Sequence, residues 1–295
     1  MAQQKIELRK IRDLSENLND TFAFIRENFK PLLTSFLAIG GIFMLANSIL
    51  NGIYQSQVGG GMLRNIMGGN STPMTSPFDI ITPTYFVVVG LAWLNLMAMG
   101  VVITCYMKLY DQSTGEAPTI EQVWNEFKKH FLKVALFNIP LTLLMIVGFV
   151  LCLAPGIWLA VVLMPFSIIL IVEEQTFGDA WNRCFAIIKD NFWSSLGIYL
   201  LVYIIYAFSA GIISGVFAVL TGFISYFTTN DISSTIGIAT SVLNIFSFVF
   251  YIVFYVSVCL HYFNLAERHD GTGLQRRLDT LGETGNDFNN VQEQY

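Results

Sequence analysis

The sequence predicts an all-α integral membrane protein with six transmembrane helices. The 295 residues are 54% hydrophobic and only 13% charged, with mean hydropathy +0.57; a soluble domain carries about 25% charged residues. The stretches 31–63, 80–107, 134–172, 191–230 and 232–266 contain no Asp, Glu, Lys or Arg. Of the 16 Lys and Arg, all but Arg64 fall in alternate segments between the spans. This composition excludes a soluble globular enzyme, a disordered chain and a nucleic-acid binder, the last two of which need dense charge.

A helix crosses the hydrocarbon core with about 20 apolar residues. Spans are therefore expected near 31–54, 85–107, 133–153, 156–173, 195–219 and 237–262. The stretch 134–172 is too long for one crossing. Pro155-Gly156 reads as the hairpin turn between spans 3 and 4. Lys and Arg mark the cytoplasmic side, which puts both termini there. Residues 1–266 form the membrane domain and 267–295 a polar cytoplasmic tail. The first 30 residues are polar and charged, unlike a signal peptide, so span 1 is expected to remain as an anchor. Aromatic rings flank the span ends at headgroup depth, with Tyr54, Tyr85, Trp158 and Tyr226 outside and Tyr106, Trp124, Trp181, Trp193 and Tyr262 inside.

Spans 1, 3 and 5 are each preceded by an amphipathic segment. In the first, 13–30, Leu14, Leu18, Phe22, Ile25 and Phe29 trace one helical stripe. Ile120, Trp124, Phe127 and Phe131 do so in the second, and Phe177, Trp181, Phe185, Ile188 and Phe192 in the third. Thr119-x-x-Gln122 and Thr176-x-x-Asp179 read as helix starts. Such helices are expected in the interface plane, and the unit of one interfacial helix plus two spans reads as a threefold parallel repeat. The exits also match: Tyr106, Leu109, Asp111 and Gly115 against Tyr262, Leu265, Glu267 and Gly271. Leu274, Leu278 and Leu281 suggest a short helix before the tail. The Gly- and Met-rich outer loop 55–84 is the candidate lid or partner contact, and Asn70-Ser71-Thr72 in it is a formal glycosylation sequon.

Residues 153–200 hold Pro155, Gly156, Trp158, Glu173, Ala180, Trp181, Arg183, Lys189, Asn191, Phe192 and Trp193 in an order that resembles the bacterial membrane-domain family named after glycerophosphoryl diester phosphodiesterase. The start (Leu14 to Leu33) and the exit HYFNLAERHDGTGLQRR resemble it too. The resemblance implies a stand-alone membrane domain of the bacterial inner membrane. The catalytic TIM barrel of the family's name needs about 250 residues of its own, for which this chain has no room.

No HExxH, paired His, Cys/His cluster, GxSxG or Walker sequence is present, so no catalytic residue, metal site or cofactor is expected. Cys105, Cys152, Cys184 and Cys259 form no CxxC, and no disulfide scaffold is indicated. The spans carry no ionisable residue at mid-depth, which argues against ion coupling. Three sets of residues remain. Asn47, Asn51, Asn95, Asn138 and Asn244 read as interhelical hydrogen-bonding groups. Ala207, Gly211 and Gly215 place small residues on one face of span 5 and read as a packing seam within the chain, with dimerisation as the alternative. Glu173, Arg183 and Lys189 surround the inner end of span 4 and read either as a solvated face or as a lipid-headgroup contact. The functional expectation is a non-enzymatic accessory, scaffold or lipid-interacting protein, with membrane lipids and another membrane protein as partners and no nucleic acid. The alternative is a transporter or channel for a neutral or lipidic solute.

Overall fold

Asp13 opens the first helix in the computed structural model, which describes residues 6–66, 81–113, 117–228, 232–271 and 275, with side chains at 59–66, 224–228 and 232–234 left aside. Its carboxylate accepts from the Glu16 amide while Glu16 accepts from the Asp13 amide, a reciprocal cap that satisfies two orphan donors. Helix α1 spans Leu14–Ser35. Asn28 departs from helical geometry (φ −103°, ψ 15°), three residues before Pro31. Pro31 denies a donor to the preceding turn, and the helix bends there. A π-helical turn, Phe36–Gly40, passes directly into α2, Gly41–Ile66. The outer loop expected from residue 55 is therefore helical as far as Ile66.

Helix α3 covers Pro83–Gln112, capped by Thr82, and α4 covers Ile120–Leu151, capped by Thr119 and Gln122 as the sequence suggested. Helices α5 (Leu153–Leu163) and α6 (Phe166–Val172) divide span 4 at Met164-Pro165. Helix α7 is Phe177–Ile188, with the Thr176 hydroxyl accepting from the Asp179 amide. Helices α8 (Phe192–Thr228) and α9 (Ile232–Asp270) complete the bundle. No strand occurs among the described residues, and six helical segments are long and apolar enough to span a membrane. Asn70-Ser71-Thr72, residues 67–80 of the outer loop, Gly115, Asp231, the segment Leu274 to Leu281 apart from Gln275, and the rest of the tail lie outside the described residues, as does the Tyr226 side chain.

The structure corrects four expectations. The hairpin turn is Cys152, whose backbone is extended (φ −167°, ψ 142°); Pro155 and Gly156 lie in the first turn of α5. Gly156 is instead a contact residue: a Cβ there would meet the Phe149 ring at 2.6 Å and the Phe149 Cα at 2.9 Å. Second, Ala207, Gly211 and Gly215 are exposed, and a Cβ at Gly211 or Gly215 meets nothing within 4 Å. Close helix packing occurs elsewhere, where Gly52 of α2 faces Gly237 of α9.

Third, the three amphipathic segments adopt three geometries. The first joins its span through the bend at Asn28, the second continues unbroken through α4, and the third is the separate helix α7. Helix α7 packs back along its own hairpin. Phe177 lies against Phe166 (5.4 Å between ring centroids) and Phe185 against Trp158 (5.7 Å). The steps are eight residues in both segments and opposite in direction, which sets α7 antiparallel beside α5–α6. Fourth, Trp158, expected on the outer face, consequently lines the same groove as Lys189.

The apolar stripe of α1 is only partly covered, with Leu18 and Ile25 against the core. Leu14, Phe22 and Phe29 are 40–52% exposed, whereas Asn17, Thr21, Phe24 and Asn28 are buried. In lipid an apolar face needs no protein cover, and polar groups must find partners inside. The Asn17 Oδ1 accepts from the Ser257 hydroxyl at 2.7 Å, and the Asn28 Oδ1 from the Tyr106 hydroxyl at 3.1 Å.

Candidate functional site

The densest chemistry lies where α3, α6 and α9 end and α1, α4 and α7 begin. Lys108, at the end of α3, is 5% exposed. Its ammonium lies 3.4 Å from Glu126 Oε2 of α4 and donates to Glu174 in the α6–α7 turn. Lys129 also pairs with Glu126, at 2.6 Å, and His130 Nε2 lies 3.3 Å from the same carboxylate. Glu174 takes a left-handed backbone (φ 55°), which costs a non-glycine residue about 1–2 kcal/mol. Its hydrogen bond and charge pairing with Lys108 hold its carboxyl below the ordinary range. Lys133 closes the same turn by donating to the Gln175 carbonyl at 2.8 Å.

Glu126, His130 and Glu174 place ligand atoms within 4.8 Å of one another. That donor set suits a divalent cation, and the sequence search, confined to paired His and Cys, missed it. Lys108 already stands among the three groups and supplies a positive charge to both carboxylates.

A second cluster centres on Arg183 of α7. Its Nε donates to Glu173 at 3.2 Å, and its terminal nitrogens donate to both oxygens of Asp270 at the end of α9. Burial disfavours this guanidinium's charge, but Asp270 and Glu173 outweigh it and hold the group above its ordinary value. The Tyr262 hydroxyl donates to Glu173 at 2.7 Å. Of the three residues expected to form a headgroup contact, Glu173 and Arg183 are thus brought together. Lys189 is not; it lies exposed at the far end of α7.

The N-terminal segment closes the rim. Arg12 is 1% exposed. It donates to Asp20 at 2.7 Å and to the carbonyls of Leu8 and Lys10, and also to that of Glu7. Its backbone exchanges hydrogen bonds with Asn264 of α9 at 3.0 Å in both directions. Arg9 pairs with Asp111 at 3.0 Å. The matched exit tyrosines both point into this rim, Tyr106 to Asn28 and Tyr262 to Glu173. The partners that tie distant elements together, such as Lys108 with Glu174, Arg9 with Asp111 and Arg12 with Asn264, are 66–252 residues apart, and no local spacing reveals them.

Deeper in the bundle, the intramembrane asparagines differ. Asn138 donates to Ser167 across the hairpin at 3.0 Å, and Asn47 reaches the Val88 carbonyl at 3.5 Å. Asn244 bonds within its own helix, and Asn51 is half-buried. Asn95 is fully buried, and neither amide atom has a hydrogen-bond partner among the described residues. Cys105, Cys184 and Cys259 are buried free thiols, and Cys152 is exposed. Ser195 and His261 form a fully buried pair at 2.8 Å.

No family model matches the chain, and comparison with curated proteins and with solved structures finds no similar protein.

Proposed function

We propose that this chain is a non-enzymatic accessory protein of a bacterial inner membrane, with both termini cytoplasmic, acting as a scaffold or lipid-interacting factor. The observation that carries this reading is the division of the surface. Charged groups from five helices, the α6–α7 turn and the N-terminal segment are committed to one another at one end of the bundle. The long helices α4 and α8 present apolar side chains outward, among them Leu136, Leu143, Phe208 and Ile212. The core between them is filled by Val101, Val102, Ile103, Ile168, Ile169 and Leu170, each at most 1% exposed. A rim fixed by ion pairs offers a stable cytoplasmic surface, and the apolar faces offer lipid contacts.

The resemblance to the glycerophosphoryl diester phosphodiesterase membrane domain supports the same reading, because its matching residues build the hairpin, α7 and the start of α8. Purification in mild detergent followed by native mass spectrometry tests it. Retained phospholipid or a stoichiometric partner is expected, and a lone, lipid-free monomer would overturn it. The unpartnered Asn95 amide favours a second reading, transport of a neutral solute. Under that reading Asn95→Leu abolishes solute flux in liposomes; a protein that moves no solute before the substitution removes the second reading.

A further inference from the structure

Lys189 belongs to a different surface from Arg183. Arg183 is spent on Glu173 and Asp270. Lys189 is exposed, and its ammonium makes no hydrogen bond or ion pair among the described residues. It stands on the rim of a groove of about 240 Å³ lined by Trp158, Val162, Phe185, Ile188 and Phe192. The groove exists because α7 runs back along the hairpin and the chain then turns at 189–191 into α8, leaving a channel between α5 and the α7–α8 junction.

We infer that this groove is a phospholipid site, with an acyl chain against Trp158, Val162, Ile188 and Phe192 and the headgroup phosphate on Lys189. Three independent features favour that occupant. The walls are apolar and aromatic, which suits a hydrocarbon chain. The uncommitted cation lies at the mouth, where it attracts a phosphate. Helix α8 opens at Phe192 on the groove wall, so the positive end of its dipole faces the same point. Trp158 is 45% exposed beside it, as suits a ring at headgroup depth. Asp190, the next residue, is exposed and opposes anions.

The inference rests on the reading of the chain as a lipid-interacting protein, and one experiment separates the two. The full chain is reconstituted in nanodiscs of phosphatidylglycerol and phosphatidylcholine, extracted into detergent, and weighed by native mass spectrometry. The wild type is expected to retain phosphatidylglycerol. Lys189→Ala should weaken retention about fivefold, the loss of one lysine near a membrane surface. Trp158→Ala should weaken it as well, and Lys189→Arg should preserve it. Both positions are exposed, and thermal unfolding confirms that each variant folds. If the wild type retains lipid and every variant retains it equally, the groove assignment falls while the wider reading stands. If the Lys189 variant alone loses lipid, the attraction is a surface charge effect, and the groove assignment also falls. A wild type that retains neither lipid nor partner overturns both.

Discussion

Gly237→Ala tests how tightly α2 and α9 are pressed together. A Cβ at Gly237 would lie 2.8 Å from the Gly52 carbonyl oxygen and 2.9 Å from Ser56 Cβ. Neither atom is the free end of a flexible side chain, so the two helices must separate. Overpacking of this kind costs about 1–3 kcal/mol, and the better helix propensity of alanine returns about 1 kcal/mol. The net loss is up to about 2 kcal/mol, or up to about 5 °C in Tm for a domain of this size. Gly215→Ala is the matched control, since its Cβ meets nothing within 4 Å; it should be neutral or gain up to about 1 kcal/mol. Fluorescence-detected size-exclusion chromatography after heating, in one detergent, reads both. If Gly237→Ala melts at or above the temperature of Gly215→Ala, the close α2–α9 seam is wrong.

Other substitutions address the charged rim. Arg12→Ala removes a fully buried guanidinium and leaves Asp20 without it; about 3 kcal/mol should be lost, and limited proteolysis should cut residues 6–13 faster than in the wild type. Lys108→Ala leaves Glu126, His130 and Glu174 without their ammonium, so Zn²⁺ should raise the variant's Tm more than the wild type's, and His130→Ala in the same background should cancel the difference. The depressed Glu174 carboxyl contributes stability that is present above the ordinary carboxyl value of 4.5 and lost as pH falls through its lower folded value; the wild type should therefore lose Tm below about pH 4.5 more steeply than Glu174→Gln. In native membranes a permeant maleimide should label Cys152 ahead of the buried Cys105, Cys184 and Cys259, and Cys152→Ser should remove that labelling.

The helices were legible because their signals are local. Charge-free stretches, Thr119 with Gln122 and Thr176 with Asp179 each act within a turn or along one segment, and each helix start appears where those residues place it. The candidate site was only half legible. Glu173 and Arg183 are ten residues apart and meet across one turn, but Asp270 and Tyr262 reach them from another helix. Small-residue spacing pointed to Gly211 and Gly215, whereas the close approach is at Gly52 and Gly237. A stripe of glycines permits contact without naming the helix that comes.

By itself the sequence determined that this is an all-α protein with six membrane-spanning helices, because hydrocarbon excludes charge and requires every backbone group to bond within its own segment. The tertiary structure alone decided which face of each helix turns inward. In α1, Leu14, Phe22 and Phe29 of the apolar stripe were left exposed, and Asn17 and Asn28 went inside to Ser257 and Tyr106. Lipid satisfies an apolar face as well as protein does, so hydrophobicity cannot choose the buried side. The partners of the polar groups choose it, and those partners are distant in the chain.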